Sequence, residues 1–288
     1  MEQRIANILA QTTTKTLKIQ QLLMLGLTRR QVADLVTNGN YGFVQNVYAK
    51  MNLANPSVQI LEMQSLDYSF TRRFGVEIEA YNCQMEILAE ALREEGIQVT
   101  IEGYNHYTRN HWKLVTDSSL SGCNTFELVS PVLEGQTGLN ELKKVCWILD
   151  ACEVKVNASC GLHIHFDAAN FDLQTWKNLA ISYKHIESVI DKFMPESRRQ
   201  NTYCRSLRNI MEQKINSAQS INELQRVAFG NTRYFKLNPQ SYSRHKTIEF
   251  RQHAGSINYD KISQWILFLN GLVIFAQYQP ISIGTALN

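Results

Sequence analysis

The chain has 288 residues, 44% of them hydrophobic and 19% charged, with a formal charge of +3. That length buries a full core in one large domain or two smaller ones, and the composition excludes a disordered chain. A charge this small names no partner for the whole molecule. Residues 1–56, however, hold Arg4, Lys15, Lys18, Arg29, Arg30 and Lys50 against only Glu2 and Asp34, which points to a polyanion partner for that part alone.

The first 52 residues read as helix. "TKTLKIQQLLMLG" has apolar positions at helical spacing and stops at Gly26. "LTRRQVADLV" starts on Thr28 with Gln31 three residues on, a capping-box pair, and "YGFVQNVYAKM" follows the turn "TNGN". Residues 56–70 read as a linker opened by Pro56. Beyond it, strands and helices alternate. "RRFGVEIEAY", "IQVTIE", "HWKLVTD", "NTFELVSP", "GLHIHFD", "RYFKLN" and "KTIEFRQH" have the period or residue types of strands. "CQMEILAEALREEG", "GLNELKKVCWILDAC", the long Asp172-capped "DLQTWKNLAISYKHIESVIDKFM", "SINELQRVAFG" with a Ser220–Glu223 capping box, and "YDKISQWILFLNGLVIFAQY" read as helices. The last is strongly apolar, but Gln264, Asn270, Gly271 and Gln277 interrupt it, so a buried helix is expected and no membrane span. Several strands follow one another without a helix, so the expected class is α+β: a mainly antiparallel sheet with flanking helices at 71–288, and a small all-helical unit at 1–55. Six cysteines without a C-x-x-C pair read as reduced thiols of a cytoplasmic protein, and the N-terminus lacks a signal-peptide apolar region.

Three strands place polar groups on one face. Glu77 and Glu79 alternate with Val76 and Ile78; His163 and His165 with Leu162, Ile164 and Phe166; Glu249 and Arg251 with Ile248 and Phe250. Glu127 adds a fourth position between Phe126 and Leu128. Any one of these alone is an ordinary strand with a wet face. Together they are unusual, because carboxylates are poor strand residues and like charges on neighbouring strands repel unless a cation lies between them. Oxygen ligands suit a hard ion such as Mg²⁺, an imidazole can complete the shell, and an arginine beside them suits a phosphate. The H-x-H pair also leaves open a Zn²⁺ hydrolase, and no Gly-rich phosphate loop is present.

The motifs "FGVEIE", "HWKLVTDSSL" running into "FELVSP", "CGLHIHFD", and "RYFKLN" followed by "TIEFRQHAGS" resemble, in this order over about residues 70–280, those of the amidoligase family. That family belongs to the glutamine synthetase / glutamate–cysteine ligase superfamily of carboxylate–amine ligases. The resemblance implies that superfamily's curved sheet and an ATP-dependent amide or peptide bond formation through an acyl phosphate. It implies two or more Mg²⁺ ions, with Mn²⁺ as a substitute, held by Glu77, Glu79, Glu127, His163 and Glu249. It assigns His165 and Arg251 to the ATP phosphates, and Asp117 to an acidic position that binds the amine or supports a ligand. Arg233, Arg244 and Arg205 are candidates for phosphate or substrate carboxylate. His185, His106 and His111 are expected to be structural or solvated. The partners implied are small-molecule or peptide carboxylates and amines, with selecting groups in loops 103–111 and 195–207, and a homo-oligomer is compatible.

The N-terminal "IQQLLMLGLTRRQVADLVTNGNYGFVQNVYAKM" resembles a helix-turn-helix unit in which Asn40, Tyr41, Gln45, Asn46 and Lys50 would reach DNA from residues 15–52. The alternatives are a bundle that only packs or mediates assembly, and a non-catalytic DNA-binding or assembly protein on a ligase scaffold.

Overall fold

The computed structural model describes residues 2–51 and 71–281. The chain divides into two compact units, residues 1–67 and 68–288. The expected linker at 56–70 lies outside the described residues.

The N-terminal unit has four helices, α1 (Glu2–Ala10), α2 (Lys15–Met24), α3 (Arg29–Val36) and α4 (Tyr41–Lys50). Each of the last three starts on a side chain that accepts an otherwise orphaned backbone N–H: Thr14 from Leu17, Thr28 from Gln31 and Asn40 from Phe43. Gln31 returns a bond from the Thr28 N–H at 2.9 Å, completing the capping box expected there. Gly39, at φ +84°, makes the turn into α4, a conformation a β-carbon disfavours. Ile19, Leu22, Leu23, Val32, Ala33, Val44 and Val47 form the core, and α1, which the spacing did not separate from its neighbours, lays Ile5, Ile8 and Leu9 against it.

The larger unit is built on eight strands: β1 (Arg73–Ala80), β2 (Val99–Glu102), β3 (Trp112–Val115), β4 (Phe126–Val129), β5 (Leu133–Glu134), β6 (Gly161–Asp167), β7 (Leu237–Asn238) and β8 (Thr247–Ala254). They form one mixed sheet in the order β2-β3-β4-β1-β6-β8-β7, with β5 paired to the start of β1. Only β2 and β3 run parallel. The period of two then sorts the side chains. Val76, Ile78, Leu128, Leu162, Ile164, Phe166, Ile248 and Phe250 are all buried in one apolar core. The long helices α5 (Met85–Glu94), α6 (Gly135–Ala151), α7 (Leu173–Ile190) and α12 (Tyr259–Ala276) contribute Leu88, Leu142, Leu179 and Ile266 to the same core. Each such side chain contributes about 1.5–3 kcal/mol when fully buried.

Four short helices, α8 (Glu196–Arg199), α9 (Glu212–Ser217), α10 (Ile221–Val227) and α11 (Ser241–His245), fill the connections. At α10 the expected capping box is half made. Ser220 accepts from the Glu223 N–H, but the Glu223 carboxylate takes the N–H of Gln219 instead. The expected strand "RYFKLN" is reduced to the two residues of β7. All six cysteines are free thiols. Among the described residues no helix is long and apolar enough to cross a membrane, the apolar α12 included.

Candidate active site

The face of the sheet opposite the core carries the chemistry. Strand β1 lies at its centre, and the register decides which groups meet. Glu77 stands opposite His163 of β6, Glu79 opposite Glu127 of β4, and His165 opposite Glu249 of β8, which in turn faces Asn238 of β7. Strand β8 carries one extra residue between Phe250 and His253, so Arg251 and Gln252 together oppose His163. Arg251 looks into the cleft, whereas Gln252 is buried on the other face.

Distances within this cluster are short. His163 Nδ1 lies 3.0 Å from Glu77 Oε2 and 3.6 Å from Glu249 Oε1, while its Nε2 lies 3.5 Å from Glu79 Oε1. Glu79 also accepts the Gly161 N–H at 2.5 Å. Glu249 is clasped from two sides, by the Asn238 amide at 2.5 Å and by an ion pair with Arg251. His165 Nδ1 meets Thr247 Oγ1 at 3.0 Å. Its Nε2 approaches Glu77 Oε1 to 3.2 Å without hydrogen-bond geometry, so this buried nitrogen has no hydrogen-bond partner.

Two overlapping ligand sets emerge. Glu77, His165 and Glu249 each offer one donor atom, all within 4.8 Å of one another, and so do Glu77, Glu127 and His163. Glu77 belongs to both. The two histidines therefore fall into different sets rather than pairing on one ion.

Ionisation in the cluster reflects the crowding. Burial works against charge on Glu77, but His165 and His163 beside it hold its carboxyl well below the usual range. Glu249 is also lowered: burial opposes this, and Arg251 and His165 prevail. Glu127 goes the other way. Burial, then the charges of Glu77 and Glu79, push it well above the ordinary carboxylate value. His165 is raised because Glu77 and Glu249 outweigh its burial. A cation between these oxygens would relieve the repulsion on Glu127 and give His165 Nε2 a partner. The donors present thus fit divalent metal.

The cluster floors a cleft of about 690 Å³. Loop 103–111 forms one wall. Tyr104 Oη and His106 Nε2 lie 2.9 Å apart and both meet the Arg233 guanidinium at 3.3 Å, while Thr108 Oγ1 reaches His245 Nδ1 at 3.1 Å. Beneath that loop, the buried Lys113 ammonium donates to Asn105 O, Asn105 Oδ1 and Tyr107 O at 2.8–3.1 Å. On the loop's outer side Arg109 pairs with Glu102 at 2.9 Å.

Glu77, Glu79, Glu127, Asp117, His163, His165, Arg233, Arg244, Glu249 and Arg251 all line this cleft. Asp117 uses Oδ1 to accept from the N–H and hydroxyl of Ser119, each at 2.7 Å. Arg205 does not join them; it is exposed and donates to Thr202 O. Of the histidines expected to be structural or solvated, His185 pairs with Glu212 and His111 with Thr100, both away from the cleft. His106, carried by loop 103–111, stands on the cleft wall, where Tyr104 and Arg233 hold it. Segment 195–207 supplies no lining. It braces Arg251 instead, through Tyr203 O, which accepts from its Nε at 3.4 Å, and Arg198, which donates to its carbonyl. Residues the strand reading passed over are Lys113, Asn238 and His245. Lys113 carried a signal, a charge between Trp112 and Leu114 in a strand; Asn238 and His245 carried none that spacing reveals.

The family described as "putative amidoligase enzyme" matches residues 70–273. The chain belongs to this amidoligase family. Membership places it among ligase-type enzymes, and the matched segment contains every group of the cluster. No curated protein matches the chain.

Proposed function

We propose that the chain is an ATP- and Mg²⁺-dependent carboxylate–amine ligase that forms an amide or peptide bond through an acyl phosphate. The observation that carries this reading is Glu77 shared between two ligand sets, with Arg251 at their edge. Glu77, Glu127 and His163 would hold one ion and Glu77, His165 and Glu249 another. His165, expected on the ATP phosphates, would thus serve as a ligand, and Glu79, expected as a ligand, would stand beside them with Asp117. Bound Mg²⁺ supplies charge neutralisation and orientation for the phosphates. The chain's own residues do the rest. Arg251, held by Glu249 and Tyr203 O, presents its guanidinium to the transferring phosphoryl group. Arg233 and Arg244, at the exposed part of the cleft, grip phosphate or the carboxylate substrate. The substrate carboxylate takes the γ-phosphoryl group with loss of ADP, and the amine then displaces phosphate. The wall formed by loop 103–111 limits water that would hydrolyse the acyl phosphate.

A Zn²⁺ hydrolase built on the H-x-H pair is less favoured, because the two histidines belong to different ligand sets and such an enzyme has no use for Arg251. Six free thiols support a reducing, cytoplasmic setting.

The test is ADP release in the presence of Mg²⁺, ATP and a panel of carboxylates and amines, short peptides included. Release that needs both substrates, and is lost in Glu77→Gln and in Arg251→Ala, supports the ligase. Metal-dependent hydrolysis indifferent to ATP overturns it.

A further inference from the structure

The family match begins at residue 70, beyond the N-terminal helices. Those helices hold a disproportionate share of the charge. Residues 1–51 carry a formal +4, more than the +3 of the whole chain. Two of the six cations are used internally. Lys18 Nζ donates to Leu9 O at 2.7 Å, tying α2 to α1. Arg29 donates to Gln45 Oε1 at 2.6 Å and lies over the Tyr48 ring, tying α3 to α4. Arg4, Lys15, Arg30 and Lys50 are exposed, and none has a carboxylate partner among the described residues.

Architecture gives that charge a direction. Helices α2, α3 and α4 each pack on the other two. Between α3 and α4 lies the four-residue turn Thr37–Asn40 with Gly39 at positive φ. This is the arrangement in which the second helix of a pair enters the major groove and the first crosses the backbone. Helix α4 buries Val44 and Val47, which leaves Gly42, Asn46, Ala49 and Lys50 along its outer stripe. No acidic residue occurs from Thr37 to Lys50. Asn46 is a side chain able to bond an adenine edge through two atoms, and Lys50 suits a phosphate. Arg30, in the first turn of α3, is placed for the strand backbone.

We propose that the N-terminal unit binds duplex DNA, with α4 in the major groove and Arg30 and Lys50 on phosphates. The site is independent of the cleft and of the ligase reading.

The experiment measures fluorescence anisotropy of a labelled mixed-sequence duplex, two helical turns long, with the full chain from about 50 to 200 mM salt. Expected is a Kd of about 10⁻⁴–10⁻⁶ M for such non-specific duplex, rising steeply with salt as affinity is lost. Arg30→Ala with Lys50→Ala should reduce the slope of log K against log salt by about two, one for each phosphate contact. Circular dichroism should show unchanged helix content, since both side chains are exposed. Glu77→Gln, in the cleft, should bind DNA as wild type does. Duplex binding with no salt dependence, a double variant equal to wild type, or single-stranded DNA bound more tightly than duplex overturns the proposal. So does concentration-dependent self-association with no DNA binding.

Discussion

Two faces of the same strands solve the problem of buried charge in opposite ways. On the helix side, Glu187 and Asp191 of and just after α7 meet the buried Lys236 ammonium at 2.8 and 2.6 Å, and Arg208 adds contacts of 3.4 and 3.1 Å. Gln252 donates to Asp191 at 2.7 Å and accepts from Tyr183 at 2.7 Å, and the Leu207 N–H takes another Glu187 oxygen. Two anions face two cations, and each carboxylate has several donors. On the cleft side, Glu77, Glu79, Glu127 and Glu249 crowd together, and among the described residues only Arg251 and two imidazoles stand in ion-pair contact with any of them. Lys113, Arg233 and Arg244 line the same cleft without pairing to them. One carboxylate is raised in consequence, and the His165 Nε2 has no hydrogen bond. The balanced face is complete within the chain. The unbalanced face leaves a charge that a bound cation would offset.

Breaking the balanced face should cost most. Lys236→Met leaves Glu187 and Asp191 buried without their shared cation, which costs about 3–5 kcal/mol. In a unit of this size that lowers Tm by roughly 10 °C, read by thermal denaturation. Adding Glu187→Gln and Asp191→Asn should recover part of the loss. A Tm within a degree or two of wild type would mean that Arg208 alone balances the pair.

On the cleft face, geometry should matter more than stability. A β-carbon at Gly161 would stand 2.9 Å from Arg198 Nη2 and 3.0 Å from His163 Nε2. Both are ends of side chains and can shift at small cost, but Arg198 braces the Arg251 carbonyl. Gly161→Ala should therefore keep Tm near wild type and lower the rate of ADP release about 100-fold, the usual cost of a displacement of about 1 Å. Unchanged turnover would show that the Arg198–Arg251 contact does not position the site.

Removing a charge from the cleft face should act with the opposite sign to removing one from the balanced face. Glu127→Gln removes a carboxylate that its neighbours already repel, so in metal-free buffer it should stabilise the chain by about 1 kcal/mol. Mg²⁺ should then raise the wild-type Tm more than that of the variant, by the free energy of the ion bound to the native state only, about 2.7 kcal/mol at a hundredfold excess over Kd. A variant less stable than wild type without metal would mean that Glu127 is already compensated.

Much of this site was readable because the period of two is local. "VEIE", "LHIHF" and "IEFR" each declared which of their side chains share a face, whatever their neighbours. Thr28 with Gln31 announced the start of α3 in the same way. What the alternation could not give was register. That Glu77, rather than Glu79, joins both ligand sets follows from its standing opposite His163, a pairing across 86 positions. Short helices such as α8 and α9 lack a side-chain cap and form through long-range contacts, so no local signal marks them. "RYFKLN" kept only two residues of strand, with Lys236 drawn to Glu187 and Asp191 across the unit. The cleft wall was equally hidden, because it depends on Lys113 gathering loop 103–111 from below.

The smallest effect belongs to the outer edge of that wall, where charge is balanced but exposed. The Glu102 carboxyl is lowered to about 2, chiefly by its hydrogen bonds from Arg109, with Asn105 and Thr100 assisting against a little burial. Its folded value lies below the ordinary 4.5, so the stability it lends is fully present above that value and is lost as pH falls toward about 2. Arg109 is 41% exposed, so solvent screening leaves the pair only a small contribution. Hydrogen exchange of residues 103–111 should then be faster in Glu102→Gln than in wild type at pH 7, and the ratio should shrink as pH is taken from 5 to 3. Equal exchange at neutral pH would assign the wall's order to Lys113 alone, and a cleft wall held from inside would then need no charge pair on its surface.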